Sequence, residues 1–397
     1  MVFLKNQTLA IIPARGGSKG IPGKNLKLIA GISLIERAIE QAQIAQKVDK
    51  VAVSTDDPQI ASVTRMRGVT VIERPEHISG DQASSESAIL HALQSLKESE
   101  NFEPTAIAFI QCTAPLLTAA DIDGTLALVL SGGYDSGLAV TPFHHFLWKE
   151  GTDGAAEGIN HNTLERLRRQ DLTDQKPQFL EAGSVYVMKT QGFVKCKHRF
   201  FGRVGMHSIS ACRNIEIDEP ADLVIAEALA RVEESHRRRK LLPQKIGALV
   251  FDFDGVFTDN RVYVSQDGSE MVACSRSDGW GLGKIKQSGF PTIVLSTEKN
   301  PVVKARCHKL EIECVQEVDG KLDYLRDWAL RRKISLSDIV YVGNDLNDLD
   351  CLKAVGCSVC VNDASPQVKR ASKVILSQKG GFGAVRELID LILNTDC

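Results

Sequence analysis

Apolar and polar positions along the first part of the chain fall into alternating blocks. Leu9 to Ile12 is an uninterrupted apolar run, the pattern of a strand buried on both faces. Ser33 to Ala45 then places apolar residues at helical spacing, and Val51 to Asp56 returns to a strand-like run. Val69 to Ile72 predicts a third strand, Ser84 to Leu96 a helix, and Ala106 to Gln111 a fourth strand. Strands separated by helices predict a parallel sheet wound on both faces. Ligands of such sheets gather at the carboxyl ends of the strands. The loop around Arg15, the segment Ser54-Thr55-Asp56 and the segment Gln111 to Pro115 all fall there.

Size and charge narrow the picture. A chain of 397 residues predicts two domains. A formal net charge of −2 gives no global basicity for nucleic acid, so any polyanion site has to be local. No apolar run is long enough to span a bilayer, and the start of the chain carries no signal-peptide pattern. The ten cysteines lie mostly in apolar segments and do not form a disulfide framework. Cys357 and Cys360 read as small buried side chains in a strand rather than as a metal or redox pair. The expected compartment is therefore reducing, the cytoplasm. The basic run Arg237 to Lys240 fits solvated linker charge better than a nuclear address.

Candidate chemistry begins directly after the first strand. Ala14 to Asn25 holds four glycines and a proline, so backbone N–H groups can approach a ligand closely. Arg15, Lys19 and Lys24 place three cations in the same loop. Amide donors and fixed positive charge together suit a triphosphate. The order is neither that of a Walker loop nor that of a dinucleotide fingerprint. Ile12-Pro13-Ala14-Arg15-Gly16-Gly17-Ser18-Lys19-Gly20-Ile21-Pro22, followed by Lys24-Asn25, resembles the signature loop of the nonulosonate cytidylyltransferases, which make CMP-sialic acid from CTP.

The resemblance extends over residues 1–232 and implies further site residues. Arg74, Ser79 and Asp81 match a segment that lines the family's nucleotide pocket, as does Gln111 with Ser18 and Asn25 in the loop. Arg168, Arg169 and Gln170 supply guanidinium groups able to take a sugar-acid carboxylate in bidentate fashion. Ala182 stands where the family carries Asn. Ile215 to Asp222 reads as the magnesium segment: strand alternation would put Glu216 and Asp218 on one face, where Mg²⁺ between them relieves their repulsion. Glu216 replaces the family's Asp. An N-cap role for Asp218 or Glu219, ahead of a helix from Pro220, is the competing structural reading.

Beyond a charged linker at 233–245, residues 246–397 begin with the apolar strand Ala248 to Phe251, which delivers Asp252 and Asp254 to its carboxyl end. This resembles the nucleophile motif of the haloacid dehalogenase phosphatases, closest to the capless branch that includes 3-deoxy-octulosonate 8-phosphate phosphatase. Ser296 and Thr297, Lys321, and the acidic segment Asn344-Asp345-Leu346-Asn347-Asp348 follow in the family's order, with Asn344 in place of an Asp. The resemblance implies Asp252 as nucleophile, Asp254 as acid and base, Lys321 as the phosphate-binding lysine, and Mg²⁺ held by Asp252, Asp254, Asn344 and Asp345.

The expected architecture is α/β, with two doubly wound Rossmann-like parallel-sheet domains. The expected chemistry is CMP-sugar formation from CTP and a nonulosonic acid, with Arg15, Lys19 and Asp218 central. The fused phosphatase is expected to act on a nonulosonate 9-phosphate, and assembly as a dimer or tetramer is implied. Another keto-sugar acid (KDN or KDO), and a second domain serving assembly alone, stay open.

Overall fold

A computed structural model describes residues 7–80, 82–165, 168 and 177–393. The chain divides into two compact units, 1–231 and 232–397. In the first, a seven-stranded sheet is built from β1 (Thr8–Pro13), β2 (Lys50–Thr55), β3 (Thr70–Glu73), β4 (Ala106–Ile110), β5 (Ser136–Phe143), β6 (Gln178–Lys189) and β7 (Val204–Ser208), in the order β7-β5-β6-β4-β1-β2-β3. Its ladders are parallel except where β6 runs antiparallel between β4 and β5.

The apolar run in β1 explains its central place. Ala10 and Ile12 enter one core layer and Leu9 and Ile11 the other, all without exposure. A strand covered on both faces needs apolar residues at every position. Helices α1 (Leu34–Ile44), α2 (Pro58–Met66), α3 (Ser85–Glu100) and α4 (Ala119–Leu130) supply the cover. Ser33 starts α1 with a capping box to Glu36, and Asp57 caps α2 ahead of Pro58. Helix α5 (Pro220–Lys240) runs through the basic stretch at 237–240, and the contact boundary after Arg231 falls inside it.

The second unit holds a six-stranded sheet of β8 (Ala248–Phe251), β9 (Thr292–Leu295), β10 (Glu313–Val315), β11 (Ile339–Gly343), β12 (Cys357–Cys360) and β13 (Val374–Ile375). The order is β10-β9-β8-β11-β12-β13, parallel throughout. Helices α6 (Arg276–Gln287), α7 (Val302–Leu310), α8 (Lys321–Arg332) and α9 (Ala384–Leu393) pack on it. Cys357 and Cys360 are free thiols wholly buried in β12. Among the described residues no helix is long and apolar enough to cross a membrane.

One expected element is absent. Residues 215–218 form no ladder and lie in an extended connection held by the Ile217 N–H to the Thr113 carbonyl, 2.9 Å. The alternation of Ile215 and Ile217 with acids suggested a strand, but the sheet has no free place for it beside β4.

Both sheets reverse direction beside their first strand. From β1 the chain moves outward to β2 and β3 and then returns to β4 on the other side; β8, with β9, β10 and then β11, repeats the pattern. The crevice left at each reversal is where the candidate residues sit.

Away from the crevices, Arg213 grips Asp121 through Nε and an η nitrogen (3.0 and 2.9 Å), with the carboxylate side chain 4% exposed and the guanidinium 24%. Removing either partner has its own cost. Among the described residues, Arg213→Met leaves the buried carboxylate with only the Thr118 N–H and hydroxyl as donors and should destabilise the first unit by about 3 kcal/mol. Asp121→Ala removes those two bonds, and with them the capping box of α4, as well as the ion pair, and should cost at least as much. Thermal unfolding midpoints of the two variants, compared with wild type, check the order.

Candidate functional site

In the first unit, β1 ends at Pro13 and the chain enters the glycine-rich loop at the crevice between β1 and β4. The loop is anchored rather than loose. The Ala14 N–H bonds the Ser54 carbonyl (2.9 Å), and the Gly16 N–H donates to Asp56 Oδ1 (3.1 Å). The Ser18 N–H turns back to the Gly16 carbonyl (3.0 Å), and Asn25 Nδ2 donates to the Arg15 carbonyl (3.0 Å). Gly23, at φ 62°, starts the short turn Lys24–Leu26 in a left-handed conformation that glycine takes without strain.

Lys24 reaches across to the connection at 215–218. Its Nζ donates to the Ile217 carbonyl at 2.6 Å and to Asp218 Oδ1 at 3.3 Å. Arg15 donates from an η nitrogen to the Gly80 carbonyl (3.1 Å), which ties the Ser79 segment to the loop. Ser79 itself donates from Oγ to the Pro75 carbonyl, 2.9 Å. Arg74 is half-buried and clamps Ser54 through Nε to Oγ (3.1 Å) and an η nitrogen to O (2.6 Å). Burial disfavours its charge, Asp56 supports it and Arg15 opposes it, so the two guanidinium groups share one neighbourhood. Lys19 is exposed on the loop.

Glu216 is the strained acid of this crevice. Burial first, then the charges of Asp218 and Glu181, push its carboxyl above the usual range, while the Gln111 amide and Lys24 pull the other way. Glu216 comes close because residue 183 is glycine. At Gly183 (φ 55°) a Cβ would fall 1.9 Å from Glu216 Oε1. Thus Arg15, Ser18, Lys24, Asn25, Arg74, Ser79, Gln111, Glu216 and Asp218 are drawn to one crevice. Arg168 is exposed, and Asp81, Arg169 and Gln170 lie outside the described residues. Ala182 is buried within β6.

Residues that the linear pattern does not single out complete the floor. Tyr186 donates its hydroxyl to Glu181. The Arg199 guanidinium lies over both Phe109 (4.9 Å) and Tyr186 (4.6 Å) while pairing with Glu86 at 2.7 Å. These partners are remote in sequence, and only the pairing of β4 with β6 brings the two rings together at 5.4 Å.

In the second unit, Asp252 follows β8 directly and is 4% exposed. Its Oδ1 accepts from the Phe253 N–H and from Lys321 Nζ, both at 2.8 Å. Among the described residues no donor reaches Oδ2. Lys321 also donates to Asp348 Oδ1 at 2.8 Å, and Tyr341 donates its hydroxyl to the same oxygen at 2.7 Å. One ammonium therefore serves two buried carboxylates, leaving one negative charge in excess. Burial and then Asp348 raise Asp252, with Lys321 opposing. Burial lowers Lys321, but the two carboxylates outweigh it and the net shift is upward. Asp254 is raised by burial and then by Glu298, and lowered by Lys321. Ser296 is buried, its Oγ accepting the Glu298 N–H (3.0 Å), and Thr297 is exposed.

The acidic motif is distributed differently from the expected metal set. Asp345 is exposed and spends Oδ1 on the N–H of Leu346, 2.8 Å. Asp348 is the buried member, since its Oδ2 also accepts the Asn344 N–H (2.9 Å). Nothing in the linear motif separates these two acids; the helical return after Gly343 does. The Asn344 side chain lies over Gly255 (φ 78°), where a Cβ would fall 1.8 Å from Nδ2. Among the described residues no three acidic, cysteine or histidine side chains form a metal cage by themselves.

Comparison with known proteins follows the division into units. The cytidylyltransferase family pattern matches residues 9–199, and that of the haloacid dehalogenase-like hydrolases matches residues 304–388. N-acylneuraminate cytidylyltransferase A of Danio rerio is 32% identical over 397 residues, covering 97% of this chain and 88% of its own. The chain belongs to the N-acylneuraminate cytidylyltransferase family. The family's relative in Oncorhynchus mykiss is 30% identical over 98% of this chain and 89% of its own. 3-Deoxy-D-manno-octulosonate 8-phosphate phosphatase of Salmonella typhi is 33% identical over 38% of this chain and 80% of its own. Among solved structures, the Moraxella catarrhalis phosphatase of that name, in complex with magnesium, phosphate and KDO, is 31% identical. It covers 41% of this chain and 91% of its own, with a TM-score of 0.38. This cytidylyltransferase-family chain is thus a mixed α/β protein of two largely parallel sheets with a haloacid dehalogenase-like second unit.

Gly183→Ala tests the crevice geometry. The Glu216 carboxylate has to leave, so cytidylyl transfer should fall at least tenfold. Gly133→Ala is the control: it has a similar φ of 74° but nothing within 4 Å of the added Cβ. It carries only the backbone penalty of about 1 kcal/mol. Equal activity in both variants would contradict the role of the close approach.

Proposed function

We propose that the first unit joins CTP to a nonulosonic acid, releasing pyrophosphate and forming the CMP-sugar, with N-acylneuraminate as the acid. The observation that carries this reading is the anchored loop after β1, whose Lys24 is pinned against Asp218 at the strand reversal. Arg15, Lys19 and Lys24 neutralise the triphosphate, with Ser18, Asn25, Arg74, Ser79 and Gln111 holding the nucleotide. The sugar-acid anomeric hydroxyl attacks the α-phosphorus as the bond to pyrophosphate breaks. Such transfer rests on positioning and charge neutralisation more than on covalent catalysis. Arg168, with Arg169 and Gln170, takes the sugar-acid carboxylate.

The second unit acts as a phosphatase on a sugar-acid phosphate, a nonulosonate 9-phosphate, whose product is the acid that the first unit consumes. Asp252 attacks phosphorus through Oδ2, because Oδ1 is occupied by two donors. Asp254, whose carboxyl burial holds above the ordinary aspartate range, protonates the departing alkoxide. It then takes a proton from the water that cleaves the aspartyl-phosphate. Lys321 keeps Asp252 in place and offsets charge on the phosphoryl oxygens, with Ser296 and Thr297 beside it.

Magnesium fits both crevices on their donor sets. Glu216 and Asp218 repel each other, and the Asp252–Lys321–Asp348 triad carries an excess negative charge next to Asp254, where a phosphate dianion has to approach. Asp252, Asp254 and the Asn344 carbonyl would hold Mg²⁺ in the second unit, and Asp218 with Glu216 in the first. Mg²⁺ needs only one or two carboxylates when phosphate oxygens and water complete its shell. When bound it supplies positive charge to the phosphate oxygens.

Two measurements test these assignments. The full chain with CTP, Mg²⁺ and a panel of sugar acids should release pyrophosphate with N-acylneuraminate. Asp252→Asn should retain that release while losing phosphate release from the 9-phosphate. Loss of both, or of neither, contradicts the separation of roles.

The second measurement concerns Glu216. Its carboxyl titrates higher folded than unfolded, so its stabilising contribution is complete below the ordinary glutamate value of about 4.3 and is lost as pH rises through the folded value. Glu216→Gln removes that loss. Without Mg²⁺ it should unfold at a higher temperature than wild type at pH 8 and at a similar temperature near pH 4. Added Mg²⁺ should stabilise wild type more than the variant. A variant less stable than wild type at pH 8 would remove the argument for uncompensated charge.

A further inference from the structure

The second unit contains a cavity of about 540 Å³ that the catalytic residues do not line. Its walls include Asp259, Arg261, Asp363, Lys379 and Phe382. Among the described residues neither Arg261 nor Lys379 forms an ion pair, so the cavity presents two uncommitted cations. The acids in its wall are held by backbone. Asp363 Oδ1 accepts the Gly380 N–H (3.0 Å), and Asp259 Oδ1 accepts the Arg261 N–H (3.2 Å). Phe382 is 62% exposed and offers an apolar face in otherwise polar surroundings.

Topology places this cavity at the same edge of the sheet as the nucleophile. Asp252 follows β8, Asp363 follows β12, and Lys379 follows β13, all parallel strands in the order β8-β11-β12-β13. Three strand spacings of about 4.8 Å separate the ends of β8 and β13, roughly 14 Å, and Arg261 joins the same wall from the loop that starts at Asp252. The wall is also fixed to the catalytic loop. A Cβ at Gly380 would fall 1.9 Å from the Gly255 carbonyl oxygen, and one at Gly381 would meet the Asp259 N at 2.6 Å. The loop that starts at Asp252 thus ends as the cavity's own lining.

We propose that this cavity binds the carboxylate end of the phosphatase substrate, with Arg261 and Lys379 taking the carboxylate. The assignment rests on the phosphatase reading above and adds to it the recognition of the acid. Asp259 and Asp363 are acceptors for sugar hydroxyls, and Phe382 covers the apolar side of the sugar. A sugar acid phosphorylated at the end opposite its carboxylate suits two anion sites at this separation. A phosphate ester without a carboxylate uses only one of them.

The test is a selectivity ratio measured on the full chain. Phosphate release is followed from a nonulosonate 9-phosphate and from N-acetylmannosamine 6-phosphate, which lacks the carboxylate, for wild type, Arg261→Ala, Lys379→Ala and the double variant. The double variant should lower the ratio of kcat/KM for the acid over the neutral sugar at least 30-fold, mainly through KM. Arg261→Lys, which keeps the charge, should restore much of it relative to Arg261→Ala. An unchanged ratio with active enzyme overturns the carboxylate site and leaves the phosphatase reading standing. Equal losses on both substrates also overturn it, because they mark damage to the shared chemistry. A wild type that releases phosphate from neither substrate overturns the phosphatase reading, and the carboxylate site falls with it.

Discussion

Parallel strands that send their connections to opposite sides of a sheet cannot cover their own carboxyl ends. That constraint acts twice in this chain, between β1 and β4 and between β8 and β11. Each reversal leaves backbone groups and loop side chains facing an open crevice while the strands themselves are sealed between helical layers. The rigid part and the chemical part are therefore the same elements viewed from their middle and from their end. Ile12 is wholly buried, and three residues later Arg15 lies at the crevice. Phe251 is wholly buried, and the next residue is the proposed nucleophile.

The two crevices solve opposite electrostatic problems. The first gathers cations for a polyanion, and it keeps Lys24 ordered by lending it a carbonyl and a carboxylate. The second gathers carboxylates around one ammonium and leaves an excess of negative charge in a dry place. Isolated charge is costly to bury, and a pair repays that cost only with good geometry and further hydrogen bonds. Tyr341, the Phe253 N–H and the Asn344 N–H provide those bonds. The remaining imbalance is what a divalent cation and a substrate phosphate together would correct.

Much of this was legible in the linear pattern because the deciding interactions are local. The apolar run of β1, the capping box at Ser33 and Glu36, the glycine-rich loop and the strand before Asp252 depend on residues a few positions apart. What the linear pattern did not reveal has the opposite character. Residues 215–218 alternate like a strand, yet their hydrogen-bonding partner is Thr113, a hundred residues away. Asp345 and Asp348 look alike in the motif, and burial against Lys321 and Tyr341 tells them apart. Arg199 owes its place to two rings and an acid on separate elements, and Gly183 to the side chain of Glu216. Contacts of that range leave no periodicity to read.

Lys321 also has a consequence for chemical labelling. It is 4% exposed, and its two carboxylate neighbours hold the amine in its protonated form. Acylating reagents need a free lone pair and a path for approach, and this side chain offers neither. In a map of lysine reactivity it would be silent beside exposed lysines of the same unit such as Lys379. Reactivity would then mark the periphery of this unit and leave its centre blank.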